Sequence, residues 1–309
     1  SGKNRTPSPK VAMGTSTQVP HSGCTASFAS NPTLVRIRDL IYTEAGIFYS
    51  DNKLHTLEER CISRMKEAGA TSLRTYYEVL ATSRNSELVN LLNRITVGET
   101  CFFRNQPQLD ALRKIVLPKI VEAQAKSAVP QIRVWSAGCS TGEEPYTLAM
   151  IFLEESQGVL KGFRFEIEAT DLNEISLEHA RQGIYGEYST RNLPPYLRQK
   201  YFLNTGESLQ VNSTLQSKVK FSRLNLQDAS RMVFMKGMDI IFCCNVLIYF
   251  DTSSKRMVIQ HFYNNLTAHG FLFLGHSESL YGISDDFRLV HMPSATGYVK
   301  SPRTPVMRG

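Results

Sequence analysis

The strongest constraint on the fold of this chain lies in residues 132–150, where an apolar run leads through small residues into two adjacent glutamates. Residues 132–135 are typical of a short buried strand, and residues 136–142 have the small side chains of a tight turn. Glu143, Glu144 and Pro145 then fit the first turn of a helix. A strand, a glycine-containing turn and a helix N-terminus in this order predict an α/β fold with a ligand at the carboxyl edge of a parallel sheet.

The residues of the turn also restrict the ligand. The turn lacks the G-x-G-x-x-G pattern of dinucleotide sites, and carboxylates follow it immediately at Glu143 and Glu144. Because carboxylates at this position would repel a pyrophosphate, a cationic ligand with an adenosine part is favoured, and S-adenosylmethionine is the common one. The alternative is an ordinary strand–helix turn in which the glutamates stabilise the helix N-terminus.

Size and composition set wider bounds. A chain of 309 residues with 42% hydrophobic content has room for about two domains, and no apolar run approaches the length of a membrane helix. We therefore expect a cytoplasmic protein without membrane insertion.

The six cysteines form no C-x-x-C pair, so neither a disulfide framework nor a metal site is predicted. The net charge of +7 is compatible with nucleic acid, an anionic membrane or an acidic protein partner.

Composition and periodicity divide the chain into segments. Residues 1–30, rich in Ser, Thr, Pro and Gly, are predicted to be a disordered tail, and residues 301–309 a second tail. Residues 31–95 predict four helices, and residues 96–106 a linker. The α/β pattern follows a helix at 107–126 and extends to residue 300.

The α/β segment predicts parallel strands at 132–135, 165–169, 219–224, 239–243 and 271–274. Strands near 288–291 and 297–300 are predicted to form an antiparallel hairpin at one edge. Residues 183–217 interrupt the alternation and predict a small β-subdomain. We expect its hairpin to consist of residues 208–211 and 214–217 around a turn at Asn212 and Ser213.

Polar residues follow three of the predicted strands. Asp171, after the second strand, is in the position where nucleoside-binding α/β folds accept hydrogen bonds from ribose hydroxyls, although it could instead cap the next helix. Asn225 follows the third strand and could offer amides to an adenine. Asn245 follows the fourth without the adjacent proline of N6-amino methyltransferases, which disfavours methylation of a flipped base.

Four segments together resemble the CheR-type chemoreceptor glutamate methyltransferases. They are residues 96–104 (TVGETCFFR), 134–146 (VWSAGCSTGEEPY), 242–251 (FCCNVLIYFD) and 275–278 (GHSE). The resemblance extends from about residue 33 to about residue 300, with the segments in the right order and spacing. It implies a Rossmann-like S-adenosylmethionine methyltransferase sheet, with an N-terminal helical domain and a small inserted β-subdomain.

The implied reaction is methyl transfer from S-adenosylmethionine to glutamate γ-carboxylates on the cytoplasmic helical bundle of chemotaxis receptors, with S-adenosylhomocysteine as the product. The cofactor-binding residues implied by motif position are Gly98, Thr100, Arg104, Ala137, Gly138, Glu144, Asp171, Asn225, Leu226, Asn245 and Val246. Glu144 would hold the ammonium group or its surroundings, and Asp171 the ribose. Gly98 occupies a position where some relatives have Asn, so this contact stays open.

A glutamate substrate needs no general base because it is ionised at neutral pH. We therefore expect the site to orient the carboxylate and exclude water, with Arg104 and Tyr249 as the catalytic residues. Tyr249 could instead be a core tyrosine that follows the fourth strand.

A row of basic residues on the helix at 51–68 is the predicted receptor-docking surface. Lys53, Arg60 and Arg64 share one stripe of that helix, and Lys66 and Arg74 extend it. The row would steer the enzyme onto acidic receptor helices, whereas the alternative is a solvated basic face without a partner.

The remaining expectations concern partners and competing functions. The loop at 204–209 is short, which favours an enzyme that needs no C-terminal receptor tether. We predict a monomer that binds no nucleic acid. A non-catalytic module that binds S-adenosylmethionine or S-adenosylhomocysteine, and a nucleic-acid methyltransferase, are the alternatives.

Overall fold

The computed structural model describes residues 31–82, 86–96 and 98–301, together with Gly2. Apart from Gly2 and Ser301, the two predicted tails lie outside these residues. Within the described ranges, no helix is both long enough and apolar enough to cross a membrane.

Four helices form the N-terminal region, as predicted: α1 (Pro32–Ala45), α2 (Leu54–Glu67), α3 (Leu73–Thr82) and α4 (Glu87–Ile95). The side chain of Asn31 caps α1 by accepting from the Thr33 N–H at 3.0 Å, and Gly46, at φ 70°, ends the helix. The apolar faces of the four helices share one core. They therefore form a compact helical unit of their own.

The remaining elements follow in chain order. They are α5 (Gln106–Ala111), a π-helical segment (Leu112–Val116), α6 (Leu117–Ala123), β1 (Gln131–Ala137), α7 (Glu143–Glu155), β2 (Arg164–Asp171), α8 (Glu174–Gln182), β3 (Ile184–Tyr185), α9 (Glu187–Thr190), α10 (Pro195–Tyr201), β4 (Phe202–Asn204), β5 (Leu209–Val211), α11 (Ser213–Gln216), β6 (Val219–Arg223), β7 (Met238–Cys243), α12 (Thr252–Asn265), β8 (Leu266–Leu274), β9 (Phe287–Met292) and β10 (Ala295–Lys300). Short 3-10 turns occur at Asp51–Lys53, Ala229–Met235 and Leu247–Tyr249.

The large sheet has seven strands in the order β6-β2-β1-β7-β8-β10-β9. The first five are parallel, and β10 and β9 are antiparallel, which confirms the predicted α/β class and the edge hairpin. Successive side chains along the central strands point to opposite faces of the sheet and pack in two separate cores. Val134 and Ile240 pack on one face, and Trp135 and Ile241 pack on the other. The strand order reverses at β1, so β1 and β7 form the switch point where such sheets bind ligands.

The small sheet has the order β3-β5-β4, and it corrects one prediction. The hairpin is formed by β4 and β5 around residues 205–208, where the Thr205 N–H donates to the Ser208 carbonyl at 3.0 Å. The predicted second arm at 214–217 was wrong, because residues 213–216 are helical. Asn212 caps that helix by accepting from the Leu215 N–H at 3.0 Å instead of forming a hairpin turn.

The helical region is bonded directly to the carboxyl edge of the large sheet. Ile47 forms a β-bridge with Phe250, and the Phe48 N–H donates to the Tyr249 carbonyl at 2.9 Å. The Tyr42 hydroxyl donates to the Asp251 carboxylate at 3.0 Å. These bonds place the segment after α1 over the end of β7.

A second set of bonds joins α4 to the start of α8. The Asn173 side-chain amide donates to the Asn93 carbonyl at 2.9 Å and to the Thr96 hydroxyl at 3.1 Å. The Asn93 side chain in turn accepts from the Glu174 N–H at 3.1 Å. The helical unit is thus fixed to the sheet on both sides of the switch point.

Candidate active site

A cavity of about 500 Å³ lies at the switch point, between the carboxyl edge of the sheet, the helical unit and the segment that links them. The predicted site residues that line it are Gly98, Thr100, Arg104, Gly138, Glu144, Asp171, Asn225, Leu226, Asn245, Val246 and Tyr249. Ala137 does not line it, because its methyl group is fully buried at the end of β1. Segments that are far apart in sequence therefore converge on one space.

The turn after β1 places its backbone against the cavity. Gly138 has φ 82°, and a Cβ at this position would collide with the Val246 side chain. Ser140 also has a positive φ of 49°, and its N–H donates to the Asp171 carboxylate at 2.8 Å. The glycine is thus required both by the backbone conformation and by the close packing against Val246.

Asp171 fixes the geometry at the end of β2. One carboxylate oxygen accepts from Ser140 and the other accepts from the Asn173 N–H at 2.8 Å. The cap of α8 is Asn173, whose side chain accepts from the Ser176 N–H at 3.0 Å, so the capping role considered for Asp171 belongs to Asn173, two residues later. Burial raises the pKa of Asp171, while its backbone hydrogen bonds oppose that increase.

Glu144 is the second acid on the cavity wall. Its carboxylate accepts from the Ser136 hydroxyl at 2.7 Å. Burial raises the pKa of Glu144 to about 7, and hydrogen bonds from Ser136 and Cys244 and the charge of Arg104 limit the rise. A carboxyl group with a pKa of about 7 ionises readily when a cation lies beside it.

The linking segment is held in an unusual backbone conformation. Phe103 and Asn105 have φ values of 52° and 65°, on either side of Arg104. The Phe103 N–H donates to the Thr147 hydroxyl of α7 at 3.1 Å. Arg104 itself donates to the Glu99 carbonyl at 2.6 Å, and its side chain remains exposed on the cavity wall.

The inserted β-subdomain holds this segment from its other side. The Phe102 N–H donates to the Ser189 carbonyl at 2.9 Å, and the Phe102 ring packs edge-on against Tyr185 at 4.8 Å between centroids. The Ser189 hydroxyl donates to the buried Glu143 carboxylate at 2.9 Å. Glu143 is therefore a structural residue that ties the subdomain to α7, whereas Glu144 faces the cavity.

The end of β7 depends on Glu278, a residue in the GHSE segment to which we assigned no role from the sequence. Its carboxylate accepts from the N–H groups of Asn245 at 2.8 Å, Gly275 at 2.7 Å and Ile248 at 3.3 Å. Asn245 adopts φ 62° within this arrangement. The signal available in the sequence was an acid three residues after the glycine that follows β8.

Tyr249 and Asn225 link the cavity to the helical unit. Tyr249 lines the cavity and also packs against the core of the helical unit, so it is both a wall residue and a packing residue. Asn225 donates to the Glu44 carbonyl at 2.5 Å and accepts from the Gln227 N–H at 3.0 Å. The side-chain amide of Asn225 is thus already hydrogen-bonded within the protein.

The predicted docking row separates into two groups. Lys53, Arg60, Lys66 and Arg74 are exposed. Arg64 instead contacts Glu87 of α4 at 2.8 Å, in a network that includes the Tyr76 hydroxyl. The structure does not place Arg64 with the others, and helical periodicity could not show this because its partner lies on another helix.

Comparisons with known proteins agree with the motifs. Residues 98–296 match the family model described as "CheR methyltransferase, SAM binding domain", and residues 32–96 match "CheR methyltransferase, all-alpha domain". The chain is 38% identical to Chemotaxis protein methyltransferase 2 of Vibrio cholerae, over 86% of this chain and 91% of that protein. It is 38% identical to the Chemotaxis protein methyltransferase of Borreliella burgdorferi, over 81% and 88%. The identity to the Escherichia coli protein is 35%, over 82% and 86%.

Proposed function

This chain belongs to the CheR family of S-adenosylmethionine-dependent chemotaxis methyltransferases, and on that premise we propose that its cavity is where a receptor glutamate is converted to a methyl ester. The protein is a protein-glutamate O-methyltransferase that acts on chemoreceptors. The observation that carries the proposed site is the convergence of Arg104, Glu144, Asp171 and Tyr249 on one cavity.

The charges on the wall fit S-adenosylmethionine, which carries a sulfonium, an ammonium and a carboxylate. Asp171 would accept from the ribose hydroxyls and Glu144 would hold the ammonium group, while Gly138 allows close approach of the backbone. Asn225 and Leu226 would meet the adenine through backbone groups, because the Asn225 amide is bonded to Glu44. When bound, the cofactor supplies a methyl group activated by the sulfonium charge.

The chain's own residues would then orient the substrate carboxylate. Arg104 lines the cavity and donates to one backbone carbonyl among the residues that the structure describes, so its other N–H groups would be available to a ligand carboxylate. A single contact of this kind orients the carboxylate without removing its nucleophilicity. Tyr249, fixed by its packing on the helical core, would complete the orientation.

Transfer of radiolabelled methyl to receptor-containing membranes tests this site. We expect base-labile label on the receptor with the wild type, and a rate about 100-fold lower for Arg104→Ala. Arg164→Ala is the matched control, because Arg164 is an exposed arginine at the opposite, amino edge of the sheet. Base-stable label, or equal rates for both variants, would contradict the proposal.

The proposed partner is the cytoplasmic helical bundle of the receptor, which places the enzyme in the cytoplasm. Residues 31–95 would dock through exposed Lys53, Arg60, Lys66 and Arg74, without Arg64. The tight turn at 205–208 supports our expectation that no C-terminal receptor tether is required.

A further inference from the structure

Exposed apolar side chains stand beside the cavity at three places. Phe48, Ile248 and Tyr281 are 47%, 52% and 96% exposed. We infer that these three residues, here called the entrance patch, form the seat for the helix that presents the substrate glutamate. This inference rests on the proposed function and names the surface that would hold its substrate.

Each residue of the entrance patch is attached to a cavity-lining element. The Phe48 N–H donates to the carbonyl of Tyr249, and Ile47 beside it lines the cavity. Ile248 is the neighbour of Tyr249, and its N–H donates to Glu278. Tyr281 follows the lining residues 275–277 in the same loop as Glu278. The entrance patch therefore belongs to segments that border the cavity.

The geometry of a helical substrate explains why this rim would be covered during the reaction. A glutamate side chain is short compared with a helix about 10 Å in diameter, so its helix must lie across the entrance for the carboxylate to reach the cavity. Side chains three and four residues away on that helix face the same way and would land on the rim. Exposed apolar residues at such a position favour apolar neighbours of the modified glutamate.

A basic residue of α2 belongs to the same region of the helical unit. Tyr49 and Tyr249 both pack against the core of that unit, which also contains Cys61, the residue that follows exposed Arg60. Burial raises the pKa of Tyr49, and the charge of Arg60 partly opposes that increase. An apolar patch flanked by a cation fits an amphipathic helix whose polar face is acidic, which is the occupant that we assign.

Steady-state kinetics with a purified receptor cytoplasmic domain test the entrance patch. For the double variant Phe48→Ala, Ile248→Ala, and separately for Tyr281→Ala, we expect KM for the receptor domain to increase, by roughly tenfold in the double variant. The value of kcat, and the Kd for S-adenosylmethionine from calorimetry, should stay within about twofold of wild type, because Phe48, Ile248 and Tyr281 are not among the residues that line the cavity.

Phe234→Ala is the matched control. Phe234 is 72% exposed and precedes β7 at the amino edge of the sheet, so its removal should leave KM unchanged. An unchanged KM in the patch variants overturns the inference while the proposed function stands. A loss of cofactor affinity by the same factor as the increase in KM has the same consequence. A wild-type dimer that the patch variants dissociate also overturns it. If the wild type labels no receptor domain, the proposed function fails and the inference fails with it.

Discussion

Glu144 shows how a single side chain on the cavity wall can make ligand binding depend on pH. Its pKa of about 7 lies well above the ordinary value for a glutamate, so the empty protein holds a proton there below neutral pH. A cationic ligand would favour the ionised form and displace that proton. Charge state and occupancy are thus linked at this residue.

We therefore predict that affinity for S-adenosylmethionine decreases as the pH falls below about 7, by up to roughly tenfold per pH unit. Calorimetry in buffers of different ionisation enthalpy should show proton release on binding near pH 7, because the empty site has a pKa of about 7. Glu144→Gln should bind more weakly and show less proton release. Glu155→Gln, in the last turn of the same helix, should behave as wild type.

The same raised pKa has a consequence for stability with the opposite sign. In the unfolded chain the carboxyl ionises at lower pH than in the folded chain, so the ligand-free protein should lose stability as pH rises from about 4.5 to about 7. Glu144→Gln should therefore raise the melting temperature of the ligand-free protein at pH 7.5, measured by calorimetry. A lower melting temperature would contradict this account.

Gly138 gives a prediction based on backbone geometry. Gly138→Ala would place a methyl group against Val246 at φ 82°, and we expect loss of cofactor binding together with about 2 kcal/mol of stability. Gly162→Ala is the control, since Gly162 has φ 86° but no atom lies within 4 Å of the position that a Cβ would take there. Urea unfolding should separate the two, because the control carries only the conformational cost.

At the scale of elements, the loop after β7 takes its shape from a residue of the loop after β8. Glu278 accepts from three N–H groups of these two loops. Glu278→Ala would leave those donors without their acceptor, and we expect kcat/KM to fall by roughly tenfold to 100-fold. Glu278→Gln should retain part of the activity. Glu207→Ala, in the exposed turn of the small sheet, should leave methyl transfer unchanged.

The elements also show what could be predicted from the sequence. The strands of the large sheet follow from their apolar runs, which are local signals. The positions of Asp171, Asn225 and Asn245 follow from the ends of those strands, whereas the cavity-lining residues of the linking segment at 98–104 were predicted only from the family resemblance. The hairpin at 208–217 was wrong because Asn212 serves equally well as a turn residue or as a helix cap. The inward position of Arg64 and the role of Glu278 depend on partners far away in the chain, which no local pattern encodes.

At the scale of the whole molecule, the exposed cations of the helical unit give a prediction about association. Changing Lys53, Arg60 and Lys66 to Glu should lower kcat/KM for the receptor and weaken its salt dependence, while cofactor affinity stays unchanged. Arg64→Glu should act differently, by destabilising the fold by about 3 kcal/mol, because it leaves Glu87 without its cation. Kinetics at several salt concentrations, together with urea unfolding, would distinguish the two effects.

The bonds between the helical unit and the end of β7 have a consequence for how substrate preference can change. The segment that joins α1 to α2 supplies Ile47 to the cavity wall and holds the Tyr249 backbone, and Asn225 is bonded to Glu44. The part of the chain that would recognise a receptor therefore also forms one wall of the proposed cofactor site. Replacing the helical unit by that of a relative would also replace the cavity-lining residues that the unit supplies. A change in receptor specificity should therefore be accompanied by a change in cofactor affinity.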